Sequence, residues 1–181
     1  MVWRGNDVYE ASYGGCQAIG AFLGVGILID KFGNDKYLAI LKKTTGLSQS
    51  VAGYVGFSLL LDRFGNDVYL SGSTSQAYTE GPGISYLIDI FGNDVYNITW
   101  WGQSTTAGLT AHSLLLDIGG YDSFNAKSFA QGFGGGGLAL FINIFGIDNY
   151  SGKGKDWSLW IQGYFGIGID MGGFRICYNS F

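Results

Sequence analysis

The phrase Gly-Asn-Asp-x-Tyr begins at Gly5, Gly33, Gly65 and Gly92 of this chain. It returns in altered form at Gly120 (Gly-Tyr-Asp-Ser-Phe) and Gly146 (Gly-Ile-Asp-Asn-Tyr), with a degenerate copy at Gly173. The motif aspartates Asp7, Asp35, Asp67, Asp94, Asp122 and Asp148 are spaced by 28, 32, 27, 28 and 26 residues. Self-similarity at a period of this size marks a solenoid, in which each unit buries its core only against its neighbours. Residues 1–181 therefore read as one repeat domain.

The segment before Asp30, Asp62, Asp89 and Asp117 alternates in size with period 2, the mark of a strand. Its small positions are Gly26, Ser58, Ser85, Ser113, Ala139 and Gly166, and Leu28, Leu60, Leu87, Leu115 and Phe141 lie two residues further on. The intervening positions are bulky: Ile27, Leu59, Tyr86, Leu114, Leu140 and Ile167, then Ile29, Leu61, Ile88, Leu116, Ile142 and Ile169. Gly-Asn-Asp supplies turn chemistry. The tyrosine column (Tyr9, Tyr37, Tyr69, Tyr96, Phe124, Tyr150) follows in a second strand, and Gln17, Gln49, Gln76, Gln103 and Gln131 mark a third segment. Three strands in about 27 residues predict an all-β, parallel β-solenoid of about six coils. The alternative is an antiparallel β-barrel or sandwich with Gly-Asn-Asp as a hairpin turn. Identical residues once per coil favour parallel stacking, and 32 glycines within the periodic segments argue against helix.

Alternation of this kind means a sheet apolar on both faces. With the bulky side as core, the Gly/Ser/Ala side becomes a flat exterior suited to close packing. The reverse assignment exposes Ile and Leu and calls still more strongly for a partner. The tyrosines are expected to stack inside the core.

Stacking places Asp35, Asp67, Asp94, Asp122 and Asp148 in one row, and Asp30, Asp62, Asp89 and Asp117 in another. Carboxylates ~4.8 Å apart repel by about 0.9 kcal/mol in water and about 3–4 kcal/mol at an effective dielectric of 20. Backbone N–H groups in the turn and a flanking Asn ladder are one compensation. Ca²⁺ bridging adjacent coils is the other. Its candidate ligands are Asp35, Asp67, Asp94, Asp122, Asp148, Asn34, Asn66, Asn93, Asp62 and Asp89.

Phe-Gly-Asn-Asp-Val-Tyr resembles a single copy of the calcium-binding RTX nonapeptide, Gly-Gly-x-Gly-x-Asp. It departs from that pattern by a Phe in place of the leading glycine and by the lack of tandem copies. The chain as a whole resembles bacterial proteins with Leu-x-Asp-x-x-Gly-Asn-Asp-x-Tyr repeats and Gln-Gly, a group with no established activity. That resemblance implies architecture rather than chemistry.

Catalysis has little support. His112 is the only histidine and occupies a repeat position beside Ser113, and Glu10 and Glu80 lie seventy residues apart. A net charge of −4 leaves no basic footprint for nucleic acid, and no apolar run has the ~18–20 residues of a transmembrane helix. The first motif begins at Gly5, which leaves no room for a secretory signal. Export by another route, or a fragment of a longer repeat protein, is expected, with the cell surface or exterior as the favoured location. Six coils put Cys16 and Cys177 ~25–30 Å apart, too far for an intrachain disulfide. Extra residues between Tyr37 and Gln49 place a bulged corner at Leu41–Gly46, with Lys42 and Lys43 in it. These features predict a non-enzymatic structural protein that self-associates into an oligomer, filament or surface layer. The alternatives are a calcium-dependent adhesion module and a glycan-binding β-helix.

Overall fold

The computed structural model describes residues 5–11, 17–39 and 47–172. Cys16, Cys177, the Leu41–Gly46 corner and the copy at Gly173 lie outside the described residues. Among the described residues there is no helix. The chain winds in coils of short strands, β1 (Val8–Glu10), β2 (Ile19–Ala21) and β3 (Val25–Ile29) forming the first. The second holds β4 (Lys36–Ala39), β5 (Val51–Gly53) and β6 (Gly56–Leu61). The third holds β7 (Val68–Ser71), β8 (Ser73–Ser75), β9 (Tyr78–Glu80) and β10 (Gly83–Asp89). The fourth holds β11 (Val95–Gly102), β12 (Thr105–Thr106) and β13 (Ala111–Asp117). The fifth holds β14 (Ser123–Ala130), β15 (Phe133–Gly134) and β16 (Leu138–Asn143). Then come β17 (Asn149–Ser151), β18 (Leu159–Gln162) and β19 (Gly166–Asp170).

Like strands stack on like. The first sheet runs β1-β4-β7-β11-β14-β17, the second β3-β6-β10-β13-β16-β19-β18, and the third β2-β5-β9-β12-β15. Tyr37 pairs with Tyr69, Leu60 with Leu87, and Asp89 with Asp117, all in parallel register. The protein is thus a parallel β-solenoid, with about five full turns rather than the six expected.

The shortfall has a local cause. In the last coil β19 still adds in parallel to β16, but β18 lies on its outer edge and pairs with it antiparallel, Leu159 opposite Ile169 and Trp160 opposite Gly168. A Cβ on Gly168 would lie 1.9 Å from the Trp160 ring. That indole takes the space filled by Leu115 or Phe141 in earlier coils, against Phe141 and Tyr150. Gln162 is not a member of the glutamine column, and its amide donates to the carbonyls of Ala130 and Gln131.

The bulky side of the second sheet is not the core. Ser58, Leu60, Asp62, Ser85, Leu87 and Asp89 are fully buried, whereas Val25 is 67% and Ile27 56% exposed. The reason is the closeness of the second and third sheets. A Cβ on Gly20 would lie 2.0 Å from the Phe57 carbonyl oxygen, and one on Gly56 2.1 Å from that of Gly20. Hydroxyls bridge the narrow gap, Ser50 to Ser58 at 2.9 Å and Thr79 to Ser85 at 2.6 Å. Only Gly, Ala, Ser or Thr fits there, so the aliphatic columns point outward.

At the wide end of the coil the core is an aromatic stack. Tyr37, Tyr69, Tyr96 and Phe124 are fully buried, with centroids 4.7 Å apart and planes within 9° at each step. Leu60, Leu87 and Leu115 pack against them.

Two corners account for the remaining conserved spacing within the repeat. At the motif glycine the coils nearly touch: a Cβ on Gly65 would lie 1.8 Å from the Gly33 carbonyl oxygen, and one on Gly92 2.0 Å from that of Gly65. No other residue fits this column. At the glutamine corner two successive residues take left-handed backbone, as at Gln76 (φ 54°) and Ala77 (φ 61°), a conformation that costs non-glycine residues roughly 1–2 kcal/mol each. The side chain offsets that cost, since Gln76 Nε2 donates to the carbonyls of Tyr69 (3.0 Å) and Asn97 (3.1 Å). Gln49, Gln103 and Gln131 repeat the staple.

Candidate functional site

The Gly-Asn-Asp turn presents two ladders of opposite polarity. The backbone N–H of Asp35 donates to Asp67 Oδ1 (2.5 Å), that of Asp67 to Asp94 Oδ1 (2.6 Å), and that of Asp94 to Asp122 Oδ1 (2.7 Å). Asp7 and Asp122 continue the row in the same sense. The asparagines run the other way: the N–H of Asn66 donates to Asn34 Oδ1, and that of Asn93 to Asn66 Oδ1. Alternation along the turn sends the two side chains to opposite sides. Asn34, Asn66 and Asn93 are exposed, while Asp35, Asp67, Asp94 and Asp122 are buried.

The second aspartate row meets the first inside the core. Tyr37 donates its hydroxyl to Asp62 Oδ2 (2.6 Å), Tyr69 to Asp89 Oδ2 (2.6 Å) and Tyr96 to Asp117 Oδ2 (2.7 Å). Tyr9 with Asp30 and Tyr150 with Asp170 do the same near the ends. The other oxygen of the row serves the following turn, as where Asp62 Oδ1 accepts from the Arg63 N–H.

Carboxylates from both rows gather in triads between coils. Asp7/Asp30/Asp35, Asp35/Asp62/Asp67, Asp67/Asp89/Asp94 and Asp94/Asp117/Asp122 each bring three carboxylate oxygens within 4.8 Å of one another. Asp148/Asp156/Asp170 forms a further group of this kind. The step between is interrupted because Asn143 stands where an aspartate would complete Asp122 and Asp148.

Oδ2 of Asp35, Asp67, Asp94 and Asp122 is buried and accepts no hydrogen bond. A buried carboxylate oxygen with no donor is costly, so each of these atoms demands a proton or a cation. Burial, reinforced by the facing carboxylates, pushes the Asp67 carboxyl up to about 8 and those of Asp35, Asp62 and Asp148 up to about 6. Asp94 and Asp117 are raised further by the same causes. Burial also raises the phenols of Tyr37, Tyr69 and Tyr96, which stay neutral donors. Burial thus favours the protonated form at Asp35, Asp62, Asp67, Asp94, Asp117 and Asp148. As a calcium site, each offers about three carboxylate oxygens, against the ~6–8 that Ca²⁺ takes. Backbone N–H and tyrosine hydroxyl groups already occupy many of the remaining oxygens, such as Asp67 Oδ1, Asp94 Oδ1 and Asp89 Oδ2, while Asp89 Oδ1 has no partner.

Comparison with family models, curated proteins and solved structures gives no match for this chain.

His112 and Ser113 are neighbours in β13 and point to opposite faces. His112 is exposed, whereas Ser113 is buried against Ser104 (2.9 Å). They cannot act as base and nucleophile.

The sequence placed each aspartate row correctly but not their meeting, nor the tyrosine partner. One signal for that pairing was present. The coil that replaces tyrosine by Phe124 also replaces its aspartate by Asn143.

Proposed function

We propose that the chain is a non-enzymatic structural unit that assembles with copies of itself through the outer face of the second sheet. One observation supports this reading above all: three outward columns of Val, Ile, Leu and aromatic residues, interrupted only by His112, cross the parallel strands of the second sheet without Asp, Glu, Lys or Arg. Leu159 and Ile161, at 65% and 71% exposure, lie opposite Ile169 and Ile167 and carry the same face onto a seventh strand. At a strand spacing of ~4.8 Å and a rise of ~3.3 Å per residue, six strands of five residues present roughly 400 Å² of projected surface. A patch of that size on a soluble domain marks a contact site, and a parallel sheet is ordinarily covered on both sides. A flat, self-similar surface, apolar apart from His112, is complementary to a second copy of itself, packed sheet on sheet at ~10 Å.

Sedimentation velocity across a concentration series tests the proposal. Association that rises with concentration and disappears in Ile27→Lys/Leu59→Lys, with the fold intact, supports it. A wild-type chain that stays monomeric at every concentration would falsify it.

The buried triads favour a second reading, a calcium-stabilised module at a cell surface. It competes with protonation for the same oxygens, and the two separate by thermal melts with chelator or Ca²⁺.

A further inference from the structure

Away from both the triads and the apolar sheet, an interrupted aromatic stack lies at the β8/β11/β14 bulge. Ser73, Trp100 and Ser128 are in register, as are Ser75, Gly102 and Ala130. The residue between each pair is therefore equivalent: Thr74, Trp101 and Phe129. All three take left-handed backbone, with φ of 56°, 54° and 51°. The rings of Trp101 and Phe129 stack at 4.7 Å, and Tyr78 meets the Trp101 ring edge-on at 6.4 Å. The next step of the stack carries only threonine. A cleft of about 340 Å³ opens there, lined by Ser73, Thr74, Tyr78, Trp100 and Trp101.

We propose that this cleft binds one pyranose ring of a neutral glycan, against the face of Trp101 turned away from Phe129, in the place that an aromatic side chain at residue 74 would take. The cleft has the volume of a small-ligand site. Its chemistry is a flat π face beside the hydroxyl-bearing Ser73 and Thr74, with the buried Tyr78 completing a lining that holds no charged residue. That combination suits a ring with an apolar C–H face and a rim of hydroxyls. A nucleobase would bring phosphate to a chain of net charge −4 without a basic group at the site. Gluco-configured rings, whose axial hydrogens share a face, match the indole best. The site is independent of the assembly face and stands or falls separately from it.

The test is calorimetric titration of the chain with cellohexaose, chitohexaose and mannohexaose, with Thr74→Trp and Trp101→Ala as variants. Thr74→Trp fills the cleft with the residue type that the equivalent position of the next coil already carries, so the fold is retained. Saturable binding of a hexasaccharide is expected, preferring cellohexaose or chitohexaose. It should weaken by roughly tenfold or more in Thr74→Trp, the scale of one lost ring stack. The proposal is overturned if the folded chain gives no saturable heat with any of the three sugars. It is equally overturned if binding survives Thr74→Trp, or if p-cresol binds where no sugar does.

Discussion

Phe124 lies in register with Tyr96 and Asn143 with Asp117, so they hold the tyrosine and aspartate positions of the one described coil that lacks the Tyr–Asp hydrogen bond. Phe124 is fully buried in the aromatic stack, and the Asn143 amide donates instead to Asp148 Oδ2 (2.9 Å) and the Tyr150 hydroxyl (3.1 Å). Hydroxyl and carboxylate disappear together, which identifies the pair as the repeating chemical unit of the interior.

Asn143→Asp alone sets a buried carboxylate beside Asp122 and Asp148 without its donor. A loss of about 2–4 kcal/mol is expected. Adding Phe124→Tyr should recover about 1.5–3 kcal/mol of it, the worth of a hydrogen bond to a charged group. A double-mutant cycle by chemical denaturation measures the coupling, and strict additivity would refute the pairing.

Tyr69→Phe leaves Asp89 Oδ2 without its hydroxyl donor while keeping the ring stack. The expected cost is about 1.5–3 kcal/mol at neutral pH. Denaturation of the variant beside the wild type reads it directly.

Stability should fall as pH rises. Asp35, Asp62, Asp67 and Asp148 have folded values of about 6 to 8, above the ~3.9 of an unfolded aspartate. The folded chain therefore holds protons that the unfolded chain has released. Their contribution is complete below about pH 4 and is lost through about pH 6 to 8. In chelator-containing buffer, Tm at pH 5 is expected to exceed Tm at pH 8.5. The opposite order would mean that Asp35, Asp62, Asp67 and Asp148 do not hold their protons in the folded chain.

Calcium and protons compete for the same Oδ2 atoms. At pH 5 a few millimolar Ca²⁺ should leave Tm unchanged. At pH 8.5 a calcium-binding solenoid gains about 2.7 kcal/mol at 100 times its Kd, and a flat response there removes the calcium reading.

The facing of the second sheet is open to direct measurement. Leu60→Ala or Leu87→Ala, in the buried column, should cost about 2–5 kcal/mol. Leu59→Ala, one residue away on the outward face, should cost less than about 1 kcal/mol. Equal losses at Leu59 and Leu60 would restore the bulky side to the core.

Period and register were legible because stacking like on like leaves its mark in the chain: the spacing of Asp67 and Asp94 alone placed them one coil apart. The orientation of the second sheet was not. Ser58 and Leu59 alternate identically whichever faces inward, and what decides is the approach of Gly20 to Phe57 across the coil, a contact between segments far apart in sequence. The aspartate rows were legible separately, while their convergence depends on how the coil folds over between Asp62 and Asp67. Trp160 was hidden for a different reason, since a residue that ends a repeat has no counterpart in the other copies to compare with.

The antiparallel return of β18 gives the molecule a direction. A coil duplicated anywhere between Tyr37 and Phe124 would find the neighbours it already has, whereas one appended beyond Asp170 would meet the Trp160 indole where its own leucine should go. Gene duplication could thus lengthen this solenoid between Tyr37 and Phe124, by whole turns, and leave the Trp160 return unchanged.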